Sequence, residues 1–147
     1  MFHEVVSDVS TGDDESAIDA AALLSAFETV LAEAVDEIGV ERVVEATSLD
    51  RERVGSVAAG DAADLTVDEG ATVLATARET DPDAAVFELR DHLLMGMTTA
   101  VLDVDTIAGA IDADLTGQEV QQALEGRAAM TLAQLAEVMA VIEERKR

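Results

Sequence analysis

The sequence contains no cysteine, which excludes disulfides, thiolate metal sites and cysteine nucleophiles. Tryptophan and tyrosine are also absent, and Phe2, Phe27 and Phe87 are the only aromatic residues, so strand-forming aromatics are scarce. Pro82 is the only proline, which leaves long stretches free to form helices. No stretch approaches the roughly 18 apolar residues of a membrane span, and the N-terminus lacks the features of a secretory signal. These absences predict an all-α, cytoplasmic protein.

The charge is strongly one-sided: 32 acidic residues face nine basic ones, the net charge is −23, and Lys146 is the only lysine. Because 49% of the residues are apolar and must supply the core, the carboxylates have to form the surface. Such a surface repels itself in dilute salt, whereas in molar salt the Debye length falls to about 3 Å and the repulsion fades. We therefore expect a protein adapted to high salt, of the haloarchaeal kind. The alternative is an acidic mimic of nucleic acid.

A pattern that occurs twice organises the chain. Residues 49–54, LDRERV, are followed by Gly60 and by TVDE at residues 66–69. About 66 residues later, LTGQEV at residues 115–120 is followed by Gly126 and by TLAQ at residues 131–134. We predict an all-α fold of two repeated helix-turn-helix-like modules packed as one compact unit. The leader covers residues 1–15, module 1 covers 16–80 and module 2 covers 81–147.

Helix starts and stops can be read from capping residues. Asp50 is a predicted N-cap, Gly39 is a predicted helix end, and Asp19 would complete a capping box. The residues that open the predicted capping boxes are Ser16, Thr66, Thr116 and Thr131. The long helix of module 2, predicted from about residue 84 to 102, carries no formal charge over residues 92–102. We therefore expect this segment to be the most buried part of the protein, with both modules packed around the helix over residues 87–102.

Each half reads as long helix, short helix, tight turn, short helix, glycine and capped helix. Residues 43–54, VVEATSLDRERV, carry the alanine and valine that pack the helix pair of the phage-repressor type of helix-turn-helix. Both halves resemble this family, although Ser48 stands where the family usually has glycine. Residues 91–105 and 119–127 are in addition similar to a small uncharacterised haloarchaeal family, a domain of unknown function. The second resemblance implies an origin and no activity.

The first resemblance implies that the helices over residues 51–59 and 117–125 enter the major groove of DNA. The candidate nucleic-acid or partner contacts are Arg51, Arg53, Ser56, Gln118, Gln121, Gln122 and Arg127. Affinity for DNA depends on neutralising phosphates, and Glu52, Glu119 and Glu125 lie on the same helices. We therefore expect a non-catalytic, salt-adapted interaction or regulatory protein whose partner is a protein or a second copy of itself. The alternative is a DNA-binding transcriptional regulator.

Residues with catalytic or metal-binding chemistry do not form a convincing site. His3 lies in the leader, and His92 is expected to bond a carbonyl or Asp91 rather than to act as a base. Asp112 and Asp114 imitate the start of a calcium loop, but the sequence has alanine where that loop needs its bidentate glutamate. The methionines predicted to pack in the core are Met95, Met97, Met130 and Met139. We expect no enzymatic activity, cofactor, metal or small-molecule substrate.

Overall fold

The computed structural model describes residues 19–112 and 114–146. This part of the chain forms eight α-helices and contains no strand. In chain order they are α1 (Ala20–Ile38), α2 (Val40–Ala46), α3 (Arg51–Ala58), α4 (Val67–Arg78), α5 (Pro82–Ala100), α6 (Val104–Ala110), α7 (Gly117–Leu124) and α8 (Leu132–Lys146). The all-α prediction is confirmed. The predicted leader, His3 and the proposed cap Ser16 lie outside the described residues.

Side-chain caps fix most helix starts. Asp19 itself is the N-cap of α1, because its carboxylate accepts a hydrogen bond from the Ala22 N–H at 2.7 Å. Its predicted role as the acidic partner of a capping box is therefore wrong. The boxes predicted at Thr66, Thr116 and Thr131 are present, each with reciprocal hydrogen bonds to the residue three positions later. These bonds satisfy amide groups that a helix start otherwise leaves without partners.

Two further helices start at aspartate caps. Pro82 is the first residue of α5, where a proline is tolerated because it lacks only an N–H that has no helical partner. Asp81 caps that helix. Asp103 caps α6 by accepting from the Thr106 N–H at 2.8 Å, and this hydrogen bond lowers the pKa of the Asp103 carboxyl. Gly39 ends α1 with φ +89°, as predicted.

The core is built by the four longer helices. Both α1 and α5 pack against α4 and α8, while α3 packs on α1 and α6 packs on α7. The largest fully buried side chains are Phe27, Leu23, Leu31, Leu65, Leu74, Ile107, Leu132, Leu135, Met139, Val35 and Val43. These residues are spread over both halves of the chain, so one continuous hydrophobic core serves the whole described structure.

The expectation that residues 92–102 are the most buried part of the protein is wrong. Leu93 and Met97 are buried, but Met95 is 63% exposed and Val101 is 89% exposed. The absence of charge was a misleading signal, because an uncharged helix has an outer face as well as an inner one. The prediction that Met95 packs in the core is wrong for the same reason. The corresponding predictions for Met97, Met130 and Met139 are confirmed.

The starts of α4 and α8 lie side by side. Thr66 and Thr131 form an isolated antiparallel bridge, in which the Val67 N–H donates to the Met130 carbonyl at 2.8 Å. The Leu132 N–H donates to the Leu65 carbonyl, also at 2.8 Å. Each helix thus uses backbone of the other half to satisfy the amide of its own first residue. Thr66 and Thr131 are also matching positions of the repeated sequence pattern.

Candidate interaction surfaces

The arginines on α3 are engaged with acidic groups of the same chain. Arg51 forms an ion pair with Glu41 of α2, with Nη2 donating to Oε2 at 2.8 Å. Arg53 donates from Nη2 to the Asp64 carbonyl at 3.1 Å and lies 3.6 Å from the Glu69 carboxylate. Both side chains are largely exposed, so these ion pairs are weak individually. They nevertheless offset the positive charge that would attract a phosphate to this helix.

Ser56 is bonded within its own helix, since its hydroxyl donates to the Glu52 carbonyl at 3.3 Å. A shallow depression lies beside it, between α3 and the segment leading to α4. The charged residues that line this depression are Asp50, Glu52, Arg53, Asp61 and Asp64. Four carboxylates against one guanidinium make the depression unfavourable for a phosphate backbone.

At the end of α7, candidate contact residues are likewise paired with an acidic side chain of the same chain. Gln121 donates from Nε2 to Oε1 of Glu125 at 2.8 Å, and the Arg127 guanidinium lies 2.6 Å from the same carboxylate. The hydrogen bond from Gln121, assisted by Arg127, lowers the pKa of Glu125. Gln118 is exposed and Gln122 is half-buried. The candidate contacts therefore lie in two separate regions, and four of them already contact acidic side chains: Arg51, Arg53, Gln121 and Arg127.

A different surface stands out on α5. Its exposed apolar side chains are Phe87 (70% exposed), Leu94 (48%), Met95 (63%) and, at its C-cap, Val101 (89%), and we call them the α5 face. The residues between positions 92 and 102 carry no formal charge when His92 is neutral. On a chain of net charge −23 this uncharged, apolar strip is exceptional. Exposed apolar side chains grouped on one helix mark a candidate interaction site.

Val101 ends this face in an unusual backbone conformation. It caps α5 with φ +56° and ψ +52°, the left-handed region, and its N–H donates to carbonyls of the last turn. Glycine is the residue usually found there, and a β-branched side chain is disfavoured. Val101 is thus both strained and exposed, two unfavourable features in one residue.

A cavity of about 160 Å³ lies between α5 and α7. Its walls include Leu89 and Leu93 of α5, Leu124 of α7 and the guanidinium of Arg90. The guanidinium of Arg90 lies against Gly126, where a Cβ atom placed on the backbone would approach its Cζ to 2.6 Å.

The residues considered for catalysis or metal binding are dispersed. Nε2 of His92 lies 3.9 Å from Oε1 of Glu143 on α8. The Asp112 N–H donates to Oε1 of Glu137 at 3.1 Å, which ties the predicted calcium-like turn to α8. Within residues 19–112 and 114–146 no three histidine, aspartate or glutamate side chains cluster as metal ligands would.

Comparison with known proteins places the chain in a family. The sequence matches a family of unknown function, DUF5791, over residues 23–145. The chain belongs to this family. Neither the curated proteins nor the solved structures contain a significant match to this DUF5791 chain. No single helix in the described residues is long and apolar enough to span a membrane. Only α5 and α6 taken together have the length and apolar composition of a span, and the chain bends by 92° between them.

Sequence reasoning missed the α5 face, although a signal was present. Phe87, Leu94 and Val101 are spaced by seven residues, and that spacing places them on one side of a helix. Buried residues of α5, such as Leu89, Leu93 and Met97, form a second stripe, about 100° around the helix from the first at 3.6 residues per turn. Two apolar stripes on one helix indicate that it packs on two sides.

Proposed function

We propose that this chain is a non-catalytic interaction or regulatory protein, adapted to high salt and acting in the cytoplasm, whose contact surface is the α5 face. The exposure of four apolar side chains on α5 and its C-cap, three of them within the uncharged residues 92–102 of an otherwise acidic chain, carries this proposal. The strip has no electrostatic attraction for nucleic acid, whereas a protein surface can cover it and gain hydrophobic free energy.

We further propose that the architecture consists of two copies of one helix-turn-helix-like module. The helix lengths support this: 19, 7, 8 and 12 residues in α1 to α4 are followed by 19, 7, 8 and 15 residues in α5 to α8. The bridge between Thr66 and Thr131 joins equivalent positions, as an approximate two-fold axis between the copies would require. Haloarchaeal origin remains part of this proposal and rests on the acidic composition.

DNA binding through α3 or α7 is the second candidate, and it rests on the helix-turn-helix-like order of helices. The ion pairs of Arg51 with Glu41 and of Arg127 with Glu125 disfavour it, because both guanidinium groups already face carboxylates. A regulator of this kind would have to break these pairs to contact phosphate or a base edge.

A photo-cross-linking experiment distinguishes these functions. A benzophenone amino acid replaces either Met95 on the α5 face or, as the control, exposed Ala58 on α3, in the full chain in a high-salt lysate. We expect protein adducts from position 95 well above those from position 58. Nucleic-acid adducts from position 58, abolished by Arg53→Ala, would favour the DNA-binding function. Equal, background-level adducts from both positions would contradict the proposed contact surface.

A further inference from the structure

Three of the four residues of the α5 face follow the heptad spacing of a helix-packing seam, and Met95 lies beside it. Phe87, Leu94 and Val101 repeat every seven residues, and Asp91 and Thr98 fall between them in alternating steps of four and three. All five side chains are exposed. In a coiled coil these are the positions that insert into a facing helix. The spacing therefore indicates that the partner of this seam is itself a helix.

We propose that the helix which covers this seam is α5 of a second copy of the chain, packed antiparallel about a two-fold axis through Leu94. This inference rests on the proposed interaction surface and names its partner. A two-fold contact requires a surface that is complementary to itself. In this register Leu94 meets its own copy, and the large Phe87 meets the small Val101 of the second copy.

The one charged residue of the seam selects the antiparallel direction. With the axis at Leu94, Thr98 of one copy lies within one residue, about 1.5 Å along the helix, of the position facing Asp91 of the other, and its hydroxyl can donate to that carboxylate. Along the helix axis the two Asp91 residues are then about 9 Å apart, at a rise of about 1.5 Å per residue. A parallel pair would place Asp91 directly against Asp91 of the second copy, which is unfavourable.

The overall charge explains why this strip is suited to self-association. Two copies of net charge −23 repel each other across any surface rich in carboxylates, but in the seam only Asp91 is charged, and residues 92–102 contribute no formal charge to the contact. The remaining long-range repulsion is screened in molar salt. The dimer therefore strengthens as the KCl concentration rises.

The backbone strain and the exposure of Val101 lead to a second, independent test of the dimer. Its left-handed backbone and 89% exposure both destabilise the isolated chain, whereas burial against Phe87 of the second copy offsets the exposure. Val101→Gly removes the backbone strain and also removes the buried side chain. The variant should therefore raise the thermal stability of the dilute chain and at the same time weaken the dimer.

Single cysteines test the register directly, because the native chain has none. In the full chain in molar KCl under mild oxidation, Leu94→Cys is compared with Phe87→Cys, and Ala58→Cys on α3 is the control. At an interaxial distance of about 8–10 Å, residues on the axis bring their Cα atoms within the reach of a disulfide. The two copies of residue 87 lie about 21 Å apart along the helices.

We expect Leu94→Cys to form a disulfide-linked dimer about tenfold faster than either other variant. Sedimentation should show a dimer for the wild type and about tenfold weaker association for Val101→Gly, together with a higher unfolding temperature of that variant when dilute. Equal linkage through positions 87 and 94 would overturn the antiparallel register. A wild-type monomer at high concentration would overturn self-association. Protection of the Leu94→Cys thiol from reagents in the monomer would overturn it as well, because residue 94 would then be covered by its own chain. Protein adducts at position 95 would in those cases still support the proposed function.

Discussion

Two of the three phenylalanines provide a direct test of the fold, because they are chemically identical and differ only in burial. Phe27 on α1 is 0% exposed, and Phe87 on α5 is 70% exposed. Replacing a buried phenylalanine by alanine removes its transfer free energy and leaves a cavity, which together cost about 3–5 kcal/mol. Phe27→Ala should lose this amount. Phe87→Ala should change the stability of the dilute chain by no more than about 0.5 kcal/mol.

The assay is thermal or urea unfolding in molar KCl, followed by far-ultraviolet circular dichroism, since the chain has neither tryptophan nor tyrosine for fluorescence. For a chain of this size about 1 kcal/mol shifts the unfolding temperature by about 3–4 °C. Phe27→Ala should therefore lower it by roughly 10–20 °C, and Phe87→Ala by less than about 2 °C. Phe27→Leu retains most of the volume and keeps the comparison measurable if the alanine variant fails to fold.

A result in which Phe87→Ala is as destabilising as Phe27→Ala in dilute solution would refute the assignment of the outer side of α5. A destabilisation by Phe87→Ala that grows with protein concentration would have a different meaning. It would show that association buries this residue, because a partner that binds only the folded chain adds to its stability.

Three further predictions address the surface, a turn and a cap. In dilute buffer the helical circular dichroism signal should fall and should return in molar KCl, as self-repulsion of a −23 chain requires; full helicity without salt would refute the adaptation. Gly126→Ala should cost more stability than Gly60→Ala in chemical unfolding, because both residues have positive φ but only at Gly126 would the new methyl displace the Arg90 guanidinium; equal losses would contradict this. Because the folded-state pKa of Asp103 is lowered, its stabilisation is present above the pKa of the unfolded chain and is lost as the pH falls through the folded value. Carboxyl NMR should give a pKa below that of an ordinary aspartate, and Asp103→Asn should flatten this part of the acid-unfolding profile.

The local signals in this chain were reliable because they act between neighbouring residues. Thr66, Thr116 and Thr131 start their helices with the predicted reciprocal hydrogen bonds, and Gly39 ends α1. The helical spacing of the apolar residues of α8 likewise matches its inward side, where Leu132, Leu135, Val138, Met139 and Ile142 are buried. Spacing and capping are properties of a few residues, so the sequence is sufficient to read them.

The sequence by itself determined the all-helical character, the caps and the acidic surface, since composition and short-range spacing control all three. Tertiary structure alone decided which side of α5 is covered, that Arg51 and Arg127 contact Glu41 and Glu125, and that Leu65 and Leu132 meet across the bridge of the two halves. These features depend on how helices far apart in the chain pack together. An apolar stripe has the same sequence pattern whether a neighbouring helix covers it or solvent does.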